Sequence, residues 1–345
     1  MRDITAREHR QLRQPVVFLP DEILEIRVKC PNCARVLTPD WLAKRPPMGT
    51  VQATDGTMLR RISAYVRCQC GADVPLKMPQ IKERGAFHLF GDEAYRISAR
   101  GHEIVTYVLV GTNPKNLQRN LDDFLALKKN LLPDRDPQSW RLHMLELWRK
   151  QDRSKSALFS EIAMPAVVQF VDSLFRFVSQ EDRSIQIFAF PAIFGLSADA
   201  EMRKKNLKEM KRSVYANFLF SVFRKVCGSG LRPLITFEAD EGKPIAPHWA
   251  RDAFFGVQSN LLYGWITGGV YVPPLEYRLP LQEPMLELAD FAAYVISRAC
   301  DFRIARKPLD LDDQKLGSVF YNAFYPNGDL YDGHAKGFPF NELYP

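Results

Sequence analysis

The sequence lacks any long uninterrupted apolar run. One of its longest apolar stretches, LLYGWITGGVYVPPL, is shorter than a membrane span and is broken by Gly and Pro. The first residues, MRDITAREHRQLRQP, carry four arginines with no apolar segment behind them, which argues against a secretory signal peptide. We therefore expect a cytoplasmic protein with no membrane partner, in a compartment where paired cysteines are metal ligands more often than disulfides.

Common catalytic motifs are also missing. There is no G-x-G-x-x-G, no G-x-x-x-x-G-K-[ST] and no G-x-S-x-G, so dinucleotide enzymes, P-loop ATPases and α/β-hydrolases lose support. No internal repeat or low-complexity tract is present. The remaining composition, 46% hydrophobic and 25% charged, is that of a folded globular protein, and 345 residues suggest about two domains.

Cysteine is scarce, with six in the chain, but four of the six form two close pairs. Cys30 and Cys33 lie in KCPNCARVL, and Cys68 and Cys70 lie in YVRCQCGADVPL. Thiolates this close together on a tight turn can point both sulfurs at one ion, and Gly71 can take the positive φ that the second turn needs. We predict a structural Zn²⁺ site in a zinc-ribbon-like β domain over residues 1–84. The lone Cys227 and Cys300 are predicted to be core residues.

The same N-terminal region, residues 1–84, which we call the head, carries most of the chain's excess positive charge. Residues 1–84 hold 15 Lys and Arg against 9 Asp and Glu, or +6 of the overall +7. A basic head suits a polyanionic partner, and we predict nucleic acid as that partner, with contacts from Arg60, Arg61 and Arg67. A protein partner or a second copy of the chain remains an open alternative, because many proteins with a pI near 9 bind nothing anionic.

Beyond residue 84 strands and helices alternate. Apolar runs predict strands over 86–91, 103–112, 184–190, 231–242 and 263–272. Helical patterns follow the Asn113-Pro114 start and cover about 156–178, 200–226, 247–260 and 282–304. This order predicts an α/β domain over 85–305, with a mixed sheet covered by helices on both faces. Residues 306–345 are predicted to form an aromatic-rich C-terminal arm.

Several acidic residues fall at the predicted strand ends. Asp92 and Glu93 end the first strand of this domain, Glu238 and Asp240 lie two apart near the end of a later one, and Asp290 lies in an apolar helix. Converging carboxylates suit a divalent ion, because Mg²⁺ takes oxygen ligands. The alternatives are helix caps and loop anchors. For Asp290 they are a pairing with Arg298 or Arg303, or a place on the polar stripe Glu283–Glu287–Asp290.

From HLFGDEAY to ELADFAAYVI, roughly residues 86–305, the chain resembles the bacterial domain-of-unknown-function family numbered 3800, whose members look like ribonuclease-H-fold proteins. The similar segments are the strand ending in Asp-Glu, the run TYVLVGT, the His-containing RLHMLELW, the acidic ITFEADEG and the Ala289-Asp290 pair. Ala94-Tyr95 departs from the family's Ser-Gly, which puts any role of that hydroxyl or turn in doubt.

The resemblance implies a ribonuclease-H-like fold with a Mg²⁺ or Mn²⁺ site. It implies Asp92 as the bridging ligand, Asp240 as the second-strand ligand with Glu238 as its rival, and Asp290 as the helix ligand. A second tier of candidates consists of Glu93, His143 and Glu146. The function implied is a metal-dependent nuclease in phage defence or a mobile element. The alternatives are a catalytically inactive module that binds nucleic acid or protein, and a structural protein whose arm holds an oligomer together.

Overall fold

The structure is a computed structural model, and it describes residues 28–37, 49–52, 58–61, 65–75, 80–98, 101–195, 200–239, 245–258 and 263–305. The predicted ligand Asp240 and the predicted arm over 306–345 lie outside these ranges. The side chains of Arg60, Arg61 and Arg67 also lie outside the described part, although their backbone belongs to strands.

The described part of the head consists of three antiparallel strand pairs. These pairs are β1 (Val28–Lys29) with β2 (Val36–Leu37), β3 (Gly49–Gln52) with β4 (Met58–Arg61), and β5 (Tyr65–Arg67) with β6 (Asp73–Pro75). The first and last pairs each carry one of the two cysteine pairs in the turn between their strands. The sequence TMLRRISAYVRC predicts a strand leading into the second cysteine pair, and this prediction is confirmed in part, as β4 and β5.

A five-stranded mixed sheet follows the head. Its strands are β7 (Gly85–Ile97), β8 (His102–Thr112), β9 (Gln186–Gly195), β10 (Leu231–Glu238) and β11 (Glu276–Arg278). They lie side by side in the order β11-β10-β7-β8-β9. Strand β10 runs parallel to both β7 and β11, and β7, β8 and β9 are antiparallel neighbours. The predicted α/β class with a mixed sheet is confirmed.

Helices cover both faces of this sheet. They are α1 (Pro114–Leu131), α2 (Met144–Trp148), α3 (Lys150–Arg153), α4 (Met164–Ser179), α5 (Ala200–Gly228), α6 (His248–Gln258), α7 (Tyr263–Thr267) and α8 (Met285–Ala305). Helix α1 begins as the sequence predicts: Asn113 Oδ1 accepts a hydrogen bond from Lys115 N at 3.0 Å, and Pro114 takes the first helical position.

Two apolar cores follow from the alternation of side chains along the strands. Successive residues point to opposite faces, so Val108 and Leu109 of β8 belong to different cores. Val108 packs with the helices α1, α4 and α8, whereas Leu109 packs with α5 and α6. Strand β8 is buried along almost its whole length, which explains its continuous apolar sequence.

Two predicted elements differ from the structure. The first strand does not end at Asp92-Glu93 but continues to Ile97, because β8 is long enough to pair with it from His88 to Ile97. The predicted strand over 263–272 is wrong, since helix α7 occupies its first half. Gly268 and Gly269 then have positive φ, and the Ile81 side chain fills the space where a Cβ on Gly268 would lie. These glycines serve a close backbone approach, with Ile81 N donating to Gly268 O at 2.8 Å.

None of the helices in the described ranges combines the length and the apolar character that crossing a membrane requires.

Candidate functional sites: a four-cysteine centre and an acidic cleft

The four paired cysteines come together as the sequence predicts. The Sγ atoms of Cys30, Cys33, Cys68 and Cys70 all lie within 4.8 Å of one another. Cys30 Sγ is 3.5 Å from Cys70 Sγ, and Cys33 Sγ is 3.5 Å from Cys68 Sγ. These distances are too long for a disulfide and close to the ~3.8 Å between sulfurs around a tetrahedral zinc ion with Zn–S of about 2.3 Å. The centre can therefore hold a metal ion such as zinc.

The backbone builds two similar turns around this centre. Cys30 N donates to Arg35 O at 2.9 Å, and Cys68 N donates to Ala72 O at 2.8 Å. Burial opposes ionisation of Cys30, but hydrogen bonds from the backbone around its turn outweigh that effect and lower the pKa of Cys30 to about 7. A ligand thiol must lose its proton to bind zinc, and the turn favours that form at Cys30. At the other cysteines the backbone hydrogen bonds also lower the pKa, but the neighbouring thiols act in the opposite direction and, with burial, outweigh them: Cys68 raises the pKa of Cys33, and Cys30 raises that of Cys70 to about 11. Cys227 and Cys300 are buried core residues, as predicted.

Three of the predicted acids converge inside the sheet, at the point where the parallel pairing of β10 with the central strand β7 ends. The parallel pairing of β10 with β7 ends at Phe237 and Gly91, so Glu238 and Asp92 are the next residues on adjacent strands. Asp290 reaches the same place from α8, close enough for its charge to act on Asp92. The carboxylates of Asp92, Glu238 and Asp290 form the acidic cluster.

The electrostatics of the acidic cluster are those of crowded, buried carboxylates. Burial raises the pKa of Asp92 well above its ordinary value, and the charges of Asp290 and Glu238 raise it further. Burial also raises the pKa of Asp290, against the opposing effect of His143. Besides burial, the charge of Asp290 thus disfavours ionisation of both Asp92 and Glu238, and a bound cation would relieve that repulsion.

A short segment of chain is anchored against the acidic cluster by α8. Asp290 Oδ2 accepts a hydrogen bond from Met144 N at 2.8 Å, and Glu287 Oε2 accepts one from Leu142 N at 3.0 Å. The two acids lie one turn apart on α8, so they hold alternate backbone amides of the segment. Arg141, just before the first of these amides, and His143, between the two, contact the cluster. Arg141 Nη2 lies 2.5 Å from Glu238 Oε1, and His143 Nε2 lies 3.9 Å from Asp290 Oδ1.

An open cleft of about 410 Å³ lies beside the acidic cluster. Its lining includes the acids Asp92, Glu93 and Glu238 and the aromatic rings of Tyr215, Trp249 and Tyr277. Glu93 forms an ion pair with Lys211 of α5. Tyr215 and Tyr277 share a hydrogen bond of 2.8 Å between their hydroxyl groups. The cleft thus has an acidic part and an aromatic part.

The predicted second-tier residues have different environments. Glu93 lies in the cleft, whereas Glu146 is exposed and touches the site only through His143, at 3.3 Å. The apolar pattern around His143 predicts a helix, but His143 lies just before α2 and has extended backbone. Asp290 does not pair with Arg298, which lies 3.6 Å from Asp301, and the side chain of the other predicted partner, Arg303, lies outside the described part of the chain.

The donors fit a divalent ion in chemistry. They are hard oxygen ligands, and Glu238 Oε2 is buried without a hydrogen-bond partner among the described residues. The carboxylates of the acidic cluster are spaced more widely than the sulfurs of the four-cysteine centre. Within the described ranges, the four cysteines are the only metal-ligand group of three or more with all ligand atoms within 4.8 Å of one another. The carboxylates of the acidic cluster therefore adjoin one another without meeting at one point.

Sequence reasoning missed Arg141, Glu287 and Lys211. Arg141 is adjacent to Leu142 in the segment RLHMLELW, where His143 alone attracted attention. Glu287 lies one helical turn before Asp290, a spacing that indicated a shared face without showing what that face contacts. Lys211 has no local signal of a role in the site, because its partner Glu93 lies 118 residues away in the sequence.

Comparison of the chain with models of protein families, with curated proteins and with solved structures finds no match in any of the three.

Proposed function

We propose that this protein is a divalent-metal-dependent nuclease that hydrolyses phosphodiester bonds at the acidic cluster. The observation that carries the proposal is the convergence of Asp92, Glu238 and Asp290 from two parallel strands and a late helix. This arrangement of acids is the one implied by the resemblance to ribonuclease-H-like proteins. It supports Glu238, the rival in the sequence, as the second-strand ligand, while Asp240 remains a candidate outside the described residues.

Mg²⁺ or Mn²⁺ would be held by Asp92, Asp290 and Glu238, whose crowded carboxylates favour a cation. A divalent ion bound there would activate water and stabilise the leaving oxygen of the phosphodiester. Two of the three acids are already oriented by the protein: Asp290 by Met144 N and Glu238 by Arg141. These contacts orient two of the ligands, and a shared ion would draw the three carboxylates closer together than they lie in this structure.

Arg141 and His143 supply the other chemical groups of the proposed site. The Arg141 guanidinium lies at the cluster, where it can bind a phosphate oxygen through charge-assisted hydrogen bonds. The His143 imidazole is about one-third exposed and lies beside Asp290, so it can exchange a proton with solvent or with a leaving oxygen.

In this proposal the zinc-binding head, with Arg60, Arg61 and Arg67, helps to hold nucleic acid, and the biological setting is phage defence or a mobile element.

The test is cleavage by purified protein with Mg²⁺ or Mn²⁺ of labelled single- and double-stranded DNA and RNA. We expect Asp92→Asn and Asp290→Asn to reduce cleavage at least about 100-fold, since loss of a charged ligand removes stabilisation of the transition state. Asp134→Asn, at an exposed acid away from the cluster, is the matched control and should cleave like the wild type. No cleavage by the wild type, or equal cleavage by Asp92→Asn, would overturn the proposal.

A catalytically inactive binding module is the second candidate function. It is favoured by the two ion pairs that partly neutralise the cleft, Arg141 with Glu238 and Lys211 with Glu93, and by the wide spacing of the carboxylates. Tyr95, in place of the family's glycine, continues β7 and donates a hydrogen bond to Glu103. Titration of zinc-loaded protein with Mn²⁺ separates the candidates: a nuclease should bind Mn²⁺ with a dependence on Asp92, and an inactive module should not.

A further inference from the structure

One face of helix α5 changes character along its length. Lys208, Lys211, Arg212 and Tyr215 recur at spacings of three and four residues, so they lie on the same side of the helix. Beyond Tyr215 this side is apolar and buried, with Phe218 among its residues. The cationic half of the face is therefore not used for packing against the sheet.

The cationic half of this face begins at the acidic cleft. Tyr215 lines the cleft, and Lys211, one turn earlier, pairs with Glu93 in the same cleft. Lys208 and Arg212 are exposed, and neither pairs with a carboxylate in the described ranges of the chain. We call Lys208, Lys211 and Arg212 the α5 ridge.

The distance from Tyr215 in the cleft to Lys208 at the far end of the α5 ridge suits a phosphate backbone. With a rise of about 1.5 Å per residue, Lys208 and Tyr215 are separated by about 10 Å along the helix axis. One strand of a duplex advances about 3.4 Å per phosphate, so this length corresponds to about three nucleotides. Lys208 and Arg212, the exposed cations of this row, can gain affinity for a polyanion by releasing its condensed counterions, whereas Lys211 is paired with Glu93.

We propose that the α5 ridge binds the phosphate backbone of a polynucleotide that leads into the acidic cleft. This inference rests on the proposed nuclease function and specifies its substrate class: a nucleic-acid strand that extends about three nucleotides from the cleaved bond, and not a mononucleotide. The ridge contacts phosphates, so it contributes affinity without selecting a base sequence. An acidic peptide carries similar charge, and the test includes it.

Binding is measured in the Asp92→Asn background without divalent ions, so that no cleavage intervenes. The probes are a fluorescein-labelled 12-nucleotide single strand, the corresponding duplex, a labelled mononucleotide and a polyglutamate of 12 residues, followed by fluorescence anisotropy. The variant Lys208→Gln/Arg212→Gln removes two exposed cations of the ridge. Lys115→Gln/Lys129→Gln removes two exposed cations of α1 and is the control for net charge.

We expect the ridge variant to bind the oligonucleotides more weakly than the control does. Two lost phosphate contacts reduce the slope of log affinity against log salt by about 1.8, which amounts to about tenfold between 50 and 200 mM salt. If the ridge variant had the same affinity and salt slope as the control, the proposal that the ridge binds a polynucleotide would be wrong. Tighter binding of polyglutamate than of oligonucleotide would also contradict it. The melting temperature of each variant identifies a loss of affinity that comes from unfolding.

The ridge and the nuclease function can fail separately. Metal-dependent cleavage that is unaffected by Lys208→Gln/Arg212→Gln would contradict the ridge and leave the nuclease proposal standing. Ridge-dependent binding by a protein that cleaves nothing with Mg²⁺ or Mn²⁺ would support the ridge as a binding surface and contradict the nuclease.

Discussion

Lys128 Nζ lies 2.7 Å from Glu287 Oε2, and both side chains are completely buried. Lys128 also donates to Trp140 O at 2.7 Å, and Glu287 accepts from Leu142 N. The pair therefore joins α1, α8 and the segment that presents Arg141 to the acidic cluster. Burial raises the pKa of Glu287 and lowers that of Lys128, so the cost of desolvation exceeds the mutual attraction for each partner.

Removing one partner of this pair should destabilise the protein strongly. Lys128→Met leaves Glu287 buried without its cation, a change that costs about 3–5 kcal/mol in comparable pairs. Denaturant unfolding should show this loss, and Lys128→Met/Glu287→Met should recover part of it, because no buried charge remains. Lys129→Met, at the exposed neighbouring position, should change the free energy of unfolding by less than about 0.5 kcal/mol. A Lys128→Met protein as stable as the wild type would contradict the role of the pair.

The same glutamate should make stability depend on pH. Burial raises the pKa of Glu287 to about 7, although Lys128 opposes the shift. The pKa of a glutamate in an unfolded chain is about 4.3. The folded state binds this proton more tightly, so the contribution to stability is complete below about pH 4.3 and is lost as the pH rises to about 7.

Glu287→Gln removes that titration. Between about pH 4.5 and 7.5 the free energy of unfolding of the wild type should fall, relative to the variant, by an amount on the order of 3 kcal/mol. The difference between the two proteins isolates Glu287, because the acidic cluster is common to both. Parallel curves of stability against pH for the two proteins would show that Glu287 does not titrate in this range.

The parts of the fold that local chemistry determines were predictable from the sequence. The Asn113 cap, the apolar run of β8 and the long pattern of α8 each mark an element with its own residues. The segment over 263–272 was mispredicted because its apolar residues and glycines also suit a strand. The close approach of Ile81 that explains the glycines depends on a distant part of the chain.

The candidate site could be predicted only in part, for the same reason. Strand ends and an acid in an apolar helix indicated Asp92, Glu238 and Asp290 without showing the distances between them. The partners of these acids are backbone amides and an arginine from a segment about 146 residues away from α8. Local sequence patterns carry no information about such pairings, because they depend on how the helices pack against the sheet.

Loss of one cysteine ligand should remove the metal from the head. Cys33→Ser replaces a soft thiolate with a poor zinc ligand, so we expect the zinc content to fall from about one ion per chain to well below one. Treatment of the wild type with a strong chelator should lower the stability of the head in the same way, because metal binding contributes folding energy. Elemental analysis and thermal melting measure both effects. Cys227→Ala, at a buried cysteine in the sheet's core, is the control and should retain its zinc.

The two cysteine turns make a further prediction about backbone strain. The residue after the second cysteine of each pair has positive φ: Ala34 has φ 54° and Gly71 has φ 88°. A residue with a Cβ pays about 1 kcal/mol for this conformation, whereas glycine adopts it freely. Ala34→Gly should therefore favour the metal-binding turn by up to about 1 kcal/mol and raise zinc affinity up to about fivefold, measured by competition with a chromogenic chelator.

Gly71→Ala should lower the affinity by a similar factor, since its added Cβ meets no neighbouring atom within 4 Å and only backbone strain is introduced. Weaker zinc binding by Ala34→Gly would show that the entropy of the free glycine chain outweighs the relief of strain, and would contradict the prediction.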